Sequence, residues 1–110
     1  MTLFEDPDLL DSYAEPAHAL AFARIENHYF VNHGWLSEGQ LIANAGQLAD
    51  IPGIIVQGRY DMCTPPVTVW DLQRVWPKSR LLLVPATGHS ATEPGNTRCL
   101  ILVTDEFADR

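Results

Sequence analysis

Basic residues, cysteines and long apolar runs are all scarce in this chain of 110 residues. Seven Lys and Arg stand against fourteen Asp and Glu, a net charge of −7. That balance disfavours nucleic acid and anionic membrane surfaces as partners. Glu5, Asp6, Asp8, Asp11 and Glu15 all precede the first Lys or Arg, Arg24, and read as a solvated segment rather than a binding device. No apolar stretch approaches the ~18 residues that a membrane-spanning helix needs. Acids interrupt the first apolar residues at once, so no secretory leader is legible. Cys63 and Cys99 are the two cysteines, and in such a chain they are expected to be free thiols. A soluble, cytoplasmic protein is the expectation. Serine is also absent from one telling place: none of Ser12, Ser37, Ser79 and Ser90 lies in a Gly-x-Ser-x-Gly turn.

A composition 46% hydrophobic and 19% charged belongs to a globular chain with room for one modest core. Neither an internal repeat nor a low-complexity tract is present. Residues 1–14 carry Pro7 and no sustained periodicity, which predicts a loop or a short helical turn. Pro16 suits a first helical turn, and Gly34 can stop that helix. Ser37 reads as the cap of a second, shorter helix through Leu41, Ile42 and Ala45. Ile51-Pro52-Gly53 then punctuates the chain before a strand at about 53–58. Pro65 and Pro66 open a helix bearing Val67, Trp70, Leu72 and Val75, and Trp76-Pro77 ends it. Trp70 and Trp76 read as packing residues. A second strand at about 80–85 leads to a last helix that begins near Pro94 or Gly95. Strand, helix, strand, helix predicts an α/β fold with parallel strands and a right-handed crossover. The expected division is a helical segment, 1–50, and a βαβα portion, 51–110. Two parallel strands alone make a poor buried sheet, so the open strand edge needs a cover.

The chemistry gathers at the ends of the two strands. Gly58-Arg59-Tyr60-Asp61 follows Ile54-Ile55-Val56, and Gly88-His89-Ser90 follows Leu81-Leu82-Leu83-Val84. Alone, Asp61 before Thr64 and Pro65 reads as a turn former or helix cap. Paired with a histidine at the next strand end, in acid-then-histidine order, it reads as the second member of an α/β-hydrolase triad. His89 is then the base, with Gly88 letting its loop turn tightly. Other residues carry less. His18, His28 and His33 are five positions apart, poor spacing for a helical metal site. Cys63 sits after the acid and not on a strand-to-helix elbow, so it reads as a thiol near the pocket. Ser90 reads as a local hydrogen-bonding group.

Ile25-Glu26-Asn27-His28-Tyr29-Phe30, Gly58-Arg59-Tyr60-Asp61-Met62, Trp70-Asp71-Leu72, Gly88-His89-Ser90 and Glu93-Pro94-Gly95 occur in this order. Together they resemble the C-terminal part of proline iminopeptidases, serine peptidases of the α/β-hydrolase fold that release an N-terminal proline from peptides. The likeness covers roughly residues 16–110. It implies that the helical segment 1–50 is a remnant of the family's cap and a linker, that Asp61 is the triad acid, that His89 is the triad base and that Glu26 helps bind the substrate's free α-amino group. A partly desolvated carboxylate suits a cationic N-terminus; without the surrounding box, Glu26 would read as an exposed helix-face acid. The resemblance implies a peptide with an N-terminal proline as substrate and neither a metal nor an organic cofactor. Two family features have no counterpart here, the His-Gly-Gly-Pro-Gly-like oxyanion loop and the serine elbow. Loss of a triad nucleophile costs on the order of 10⁶ in turnover, so the chain alone is expected to be inactive. A complementing N-terminal half is its expected partner. An alternative is a non-catalytic interaction domain that pairs through its exposed sheet edge, with itself or another chain. An esterase fragment would share the triad residues but would not account for the box around Glu26.

Overall fold

In the computed structural model, which describes residues 2–4 and 7–108, the two aliphatic runs form β1 (Gly53–Gly58) and β2 (Ser79–Val84). They pair in parallel, with Gly53 opposite Ser79, Ile55 opposite Leu81 and Gly58 opposite Val84. This register ends both strands at one edge, from which the loops carrying Asp61 and His89 emerge. Helix α4 (Pro66–Val75) makes the crossover. Pro65 and Pro66 start it because a fixed φ suits the first turn and the missing N–H is not needed there. It ends where expected, at Trp76. The Trp76 indole N–H donates to the Ile51 carbonyl at 2.8 Å, while its ring occupies the space beside Gly53. Helix α5 (Pro94–Ala108) contacts both strands, as does α4.

The described residues within 5–41 form one compact unit, and those within 1–4 and 42–110 form the other. The first unit is helical. Pro7 opens α1 (Pro7–Ala14), two turns of helix where the sequence predicted a loop or a short helical turn. A proline at the first helical position replaces an N–H that would have no intrahelical partner, so it starts a helix as readily as it breaks one. Helix α2 (Pro16–Val31) is capped by Glu15, whose carboxylate accepts the N–H groups of Ala17 and His18 at 3.2 and 2.7 Å. Past α2 the backbone turns left-handed through His33, Gly34 and Trp35, with φ of 51°, 58° and 57°. The chain then enters α3 (Gln40–Asn44) and a 3-10 turn, Ala45–Leu48. The Gln40 side chain reaches back to the Ser37 N–H at 3.0 Å, one half of a capping box.

Packing is thin. Among the described residues, the buried apolar ones are Ala45, Val84 and Val103, against buried polar residues Gln57, Asp61, Thr87, Glu93 and Asn96. Trp70, read from sequence as a packing residue, is 54% exposed. Phe30, Val31, Ile25 and Leu20 on α2 are more exposed still, and no residue of that helix is buried.

Backbones approach closely at the end of β1. A Cβ on Gly58 would overlap the carbonyl of Gly88. Gly58→Ala is therefore expected to destabilise the chain by at least about 1–3 kcal/mol, read as a lower urea midpoint.

Candidate active site

Beyond the last strand pair, the two loops stay zipped. Arg59 N–H donates to the Val84 carbonyl and Tyr60 N–H to the Thr87 carbonyl, both at 2.9 Å. The next residue of the first loop is Asp61, and it meets His89 from the second. His89 Nδ1 lies 3.0 Å from Asp61 Oδ2 and 3.2 Å from Oδ1. The Asp61 side chain is 5% exposed and that of His89 42%. An ionised carboxylate only accepts, so in the neutral ring the proton is on Nδ1 and the lone pair on Nε2. Asp61 thus sets the tautomer of the ring.

Four further donors fix the carboxylate. Its Oδ1 accepts the backbone N–H groups of Cys63 and Thr64 at 3.0 and 2.9 Å. Its Oδ2 accepts the Thr64 hydroxyl at 2.8 Å and the Gln57 amide at 3.1 Å. Asp61 thus closes its own turn and meets a histidine from the other loop with the same side chain. Burial raises the Asp61 pKa. The Thr64 N–H, the His89 ring, the Thr64 hydroxyl and the Gln57 amide outweigh it and hold the carboxyl well below its ordinary 3.8.

The histidine loop has its own clamp. Buried Glu93 accepts the Gly88 N–H through Oε1 at 2.9 Å and the Leu3 N–H through Oε2 at 3.1 Å. Asn96, on the first turn of α5, donates to the carbonyls of Gly88 and Ser90 at 3.3 and 2.9 Å. Ser90 pairs with Thr92 at 2.7 Å, the local bonding role read from sequence. Gln57, Thr64, Glu93 and Asn96 went unassigned in the sequence. A glutamine closing an apolar strand was the available signal for Gln57; Glu93 stood inside a recognised box without a role.

Asp61 and His89 come together within one unit. Glu26 belongs to the other and is exposed on α2. Two of the spaced histidines lie against aromatic rings: the His18 ring centroid is 5.6 Å from that of Tyr13 and 6.2 Å from that of Phe22, and that of His28 is 5.2 Å from that of Trp35. Cys63 is exposed, Cys99 is half-buried, and both are free thiols.

Two parallel strands flanked by helices, with the loops at their carboxyl ends joined, make this chain a C-terminal part of an α/β-hydrolase fold. No family model matches it. Over 106 residues, 96% of the chain, it is 52% identical to the proline iminopeptidase of Xylella fastidiosa (strain 9a5c). It is 51% identical over 107 residues to that of Xanthomonas citri and 42% identical over 110 residues to that of Arabidopsis thaliana. The chain belongs to the proline iminopeptidase family, as a C-terminal part of such a protein. It spans about a third of the length of these curated relatives, 34%, 34% and 29%.

Two outcomes follow from this network. A carboxyl whose folded pKa lies below its unfolded value stabilises the fold above the unfolded value and loses that contribution as pH falls. The urea midpoint is expected to drop as pH is lowered below 3.8 toward the depressed folded value, and Asp61→Asn should flatten that drop. Glu93→Ala leaves the buried Gly88 N–H without its acceptor and should cost about 1–3 kcal/mol, measured by urea unfolding at neutral pH.

Proposed function

We propose that this chain carries the acid and base of a serine-peptidase triad in a proline iminopeptidase. A serine outside these 110 residues supplies the nucleophile. The observation that carries the reading is the 3.0 Å contact between His89 Nδ1 and buried Asp61 Oδ2 at the ends of adjacent parallel strands. In this reading, His89 Nε2 takes the proton of the serine hydroxyl as its oxygen attacks the carbonyl of the N-terminal proline residue. Asp61 stabilises the imidazolium, which then protonates the departing amine of the second residue. Water, deprotonated by the same nitrogen, hydrolyses the prolyl ester and releases proline. Glu26 accepts hydrogen bonds from the cationic proline nitrogen, which fixes the substrate by its free end. Neither a metal nor an organic cofactor enters the reaction.

Among the described residues, no helix is long and apolar enough to cross a membrane; a cytoplasmic site of action goes with this reading. The exposed apolar residues and the open edges of a two-stranded sheet favour a polypeptide partner. The remaining two thirds of a family protein is the partner the reading requires. The same surface supports the second reading, an interaction domain that uses the sheet edge without catalysis.

Hydrolysis of a prolyl arylamide decides between them. The chain alone should show no turnover, and adding the remaining part of a family protein should restore it. In the complemented enzyme, His89→Ala or Asp61→Asn should reduce kcat by about 10⁴. Glu26→Gln should lower kcat/KM by about tenfold to a hundredfold. Complemented activity that survives His89→Ala would refute the triad assignment. A stable self-dimer that buries the β1 edge and resists complementation would favour the interaction domain.

A further inference from the structure

We propose that Asp61, Cys63 and His89 form a binding site for a thiophilic divalent cation of the zinc class. One carboxylate oxygen, one sulfur and one imidazole nitrogen from these residues lie within 4.8 Å of one another, the one such three-ligand group among the described residues. That mixed donor set suits zinc and its neighbours, and it is unlike the all-oxygen sets that hold magnesium or calcium.

The geometry needs little rearrangement. Tetrahedral zinc, with bonds of about 2.0–2.1 Å to nitrogen and oxygen and 2.3 Å to sulfur, sets its nitrogen and oxygen ligands about 3.3 Å apart. Its sulfur then stands about 3.6 Å from either. Asp61 Oδ2 and His89 Nδ1 are 3.0 Å apart, so they must open by a few tenths of an ångström. The Cys63 sulfur lies within 4.8 Å of a carboxylate oxygen of Asp61 and a ring nitrogen of His89, about 1 Å beyond a ligand spacing, which rotation about χ1 of an exposed residue can supply. The turn that positions the acid also positions the thiol. Asp61 Oδ1 holds the Cys63 N–H, which folds residue 63 back over the carboxylate.

The surroundings favour ligation as well. When the cation replaces the His89 proton at Oδ2, Asp61 keeps the N–H groups of Cys63 and Thr64 and the Thr64 hydroxyl. A ligand carboxylate oriented by such donors is the usual outer support of a metal centre. The thiol proton and the Nδ1 proton pass to solvent. One thiolate and one carboxylate then neutralise the dication, and three protein ligands leave the fourth position for water. The exposed face of His89 gives the ion its approach.

Binding has a consequence for the reaction, and this step alone rests on the triad reading. With Nδ1 on the cation, the remaining ring proton sits on Nε2. That is the tautomer that cannot accept a proton from serine, so the cation acts as an inhibitor that occupies the base.

Cobalt(II) titration of the 110-residue chain tests the site without any activity measurement, so its failure is separable from failure of the peptidase reading. One ion per chain is expected, with a thiolate-to-cobalt charge-transfer band and visible bands of a four-coordinate ion, both displaced by zinc. Cys63→Ser should abolish the charge-transfer band and Cys99→Ser should retain it. His89→Ala should weaken binding by at least about tenfold, and His28→Ala should leave it unchanged. On the unsubstituted chain, zinc should shift the imidazole resonances of His89 and leave those of His18, His28 and His33 in place. A missing thiolate band, a band that follows Cys99, or zinc-dependent shifts at another histidine would overturn the assignment.

Discussion

The close approach of two loops past the ends of β1 and β2 is the constraint on which the rest depends. Parallel pairing ends the strands at a common edge, but it does not carry side chains from separate loops into contact. That takes the backbone bonds Arg59–Val84 and Tyr60–Thr87, which extend the zipper beyond the strands. It also takes two glycines, because Gly58 and Gly88 lie too close for a side chain on the first. With the backbones so fixed, the side chain after Tyr60 and the one after Gly88 have one meeting place. Asp61 and His89 occupy it.

The same constraint inverts the usual distribution of burial. Among the described residues the well-buried positions are mostly polar and cluster around the loops, while Leu20, Ile25, Phe30 and Val31 on α2 and Val67 and Trp70 on α4 are exposed. A buried carboxylate is tolerated only when donors replace its lost hydration. Asp61 has donors from Gln57, Cys63, Thr64 and His89, and Glu93 has them from Leu3 and Gly88. These bonds are short-range and directional, so they give the loops definite geometry where the apolar core is small. The exposed apolar side chains are the complement of that arrangement.

What could be read in advance differed by residue for physical reasons. Both strands were legible because aliphatic runs bounded by proline and glycine have few other uses. Helices α4 and α5 were legible from their opening prolines. Pro7 misled because one residue type both starts and interrupts helices, and only the surrounding chain decides which. Trp70 misled because large aromatic side chains are most often interior, whereas its helix face is uncovered here. Glu93 and Asn96 stood within or beside a recognised box, yet their hold on the His89 loop needs distances that no spacing encodes. Cys63 was legible as a thiol near the pocket; its distance from the acid and the histidine was not.

The sequence by itself determined the alternation of strands and helices, the acid-then-histidine order at the strand ends and the family to which the chain belongs. Those are properties of local composition and of motifs a few residues long. The tertiary structure alone decided that Asp61 Oδ2 and His89 Nδ1 lie 3.0 Å apart. It also decided that four other donors hold the carboxylate ionised and that the Cys63 sulfur lies within 4.8 Å of a carboxylate oxygen of Asp61 and a ring nitrogen of His89. Contacts between loops far apart in the chain depend on strand register and backbone approach. Both arise from the summed packing and hydrogen bonding of the whole unit, which no short stretch of residues contains.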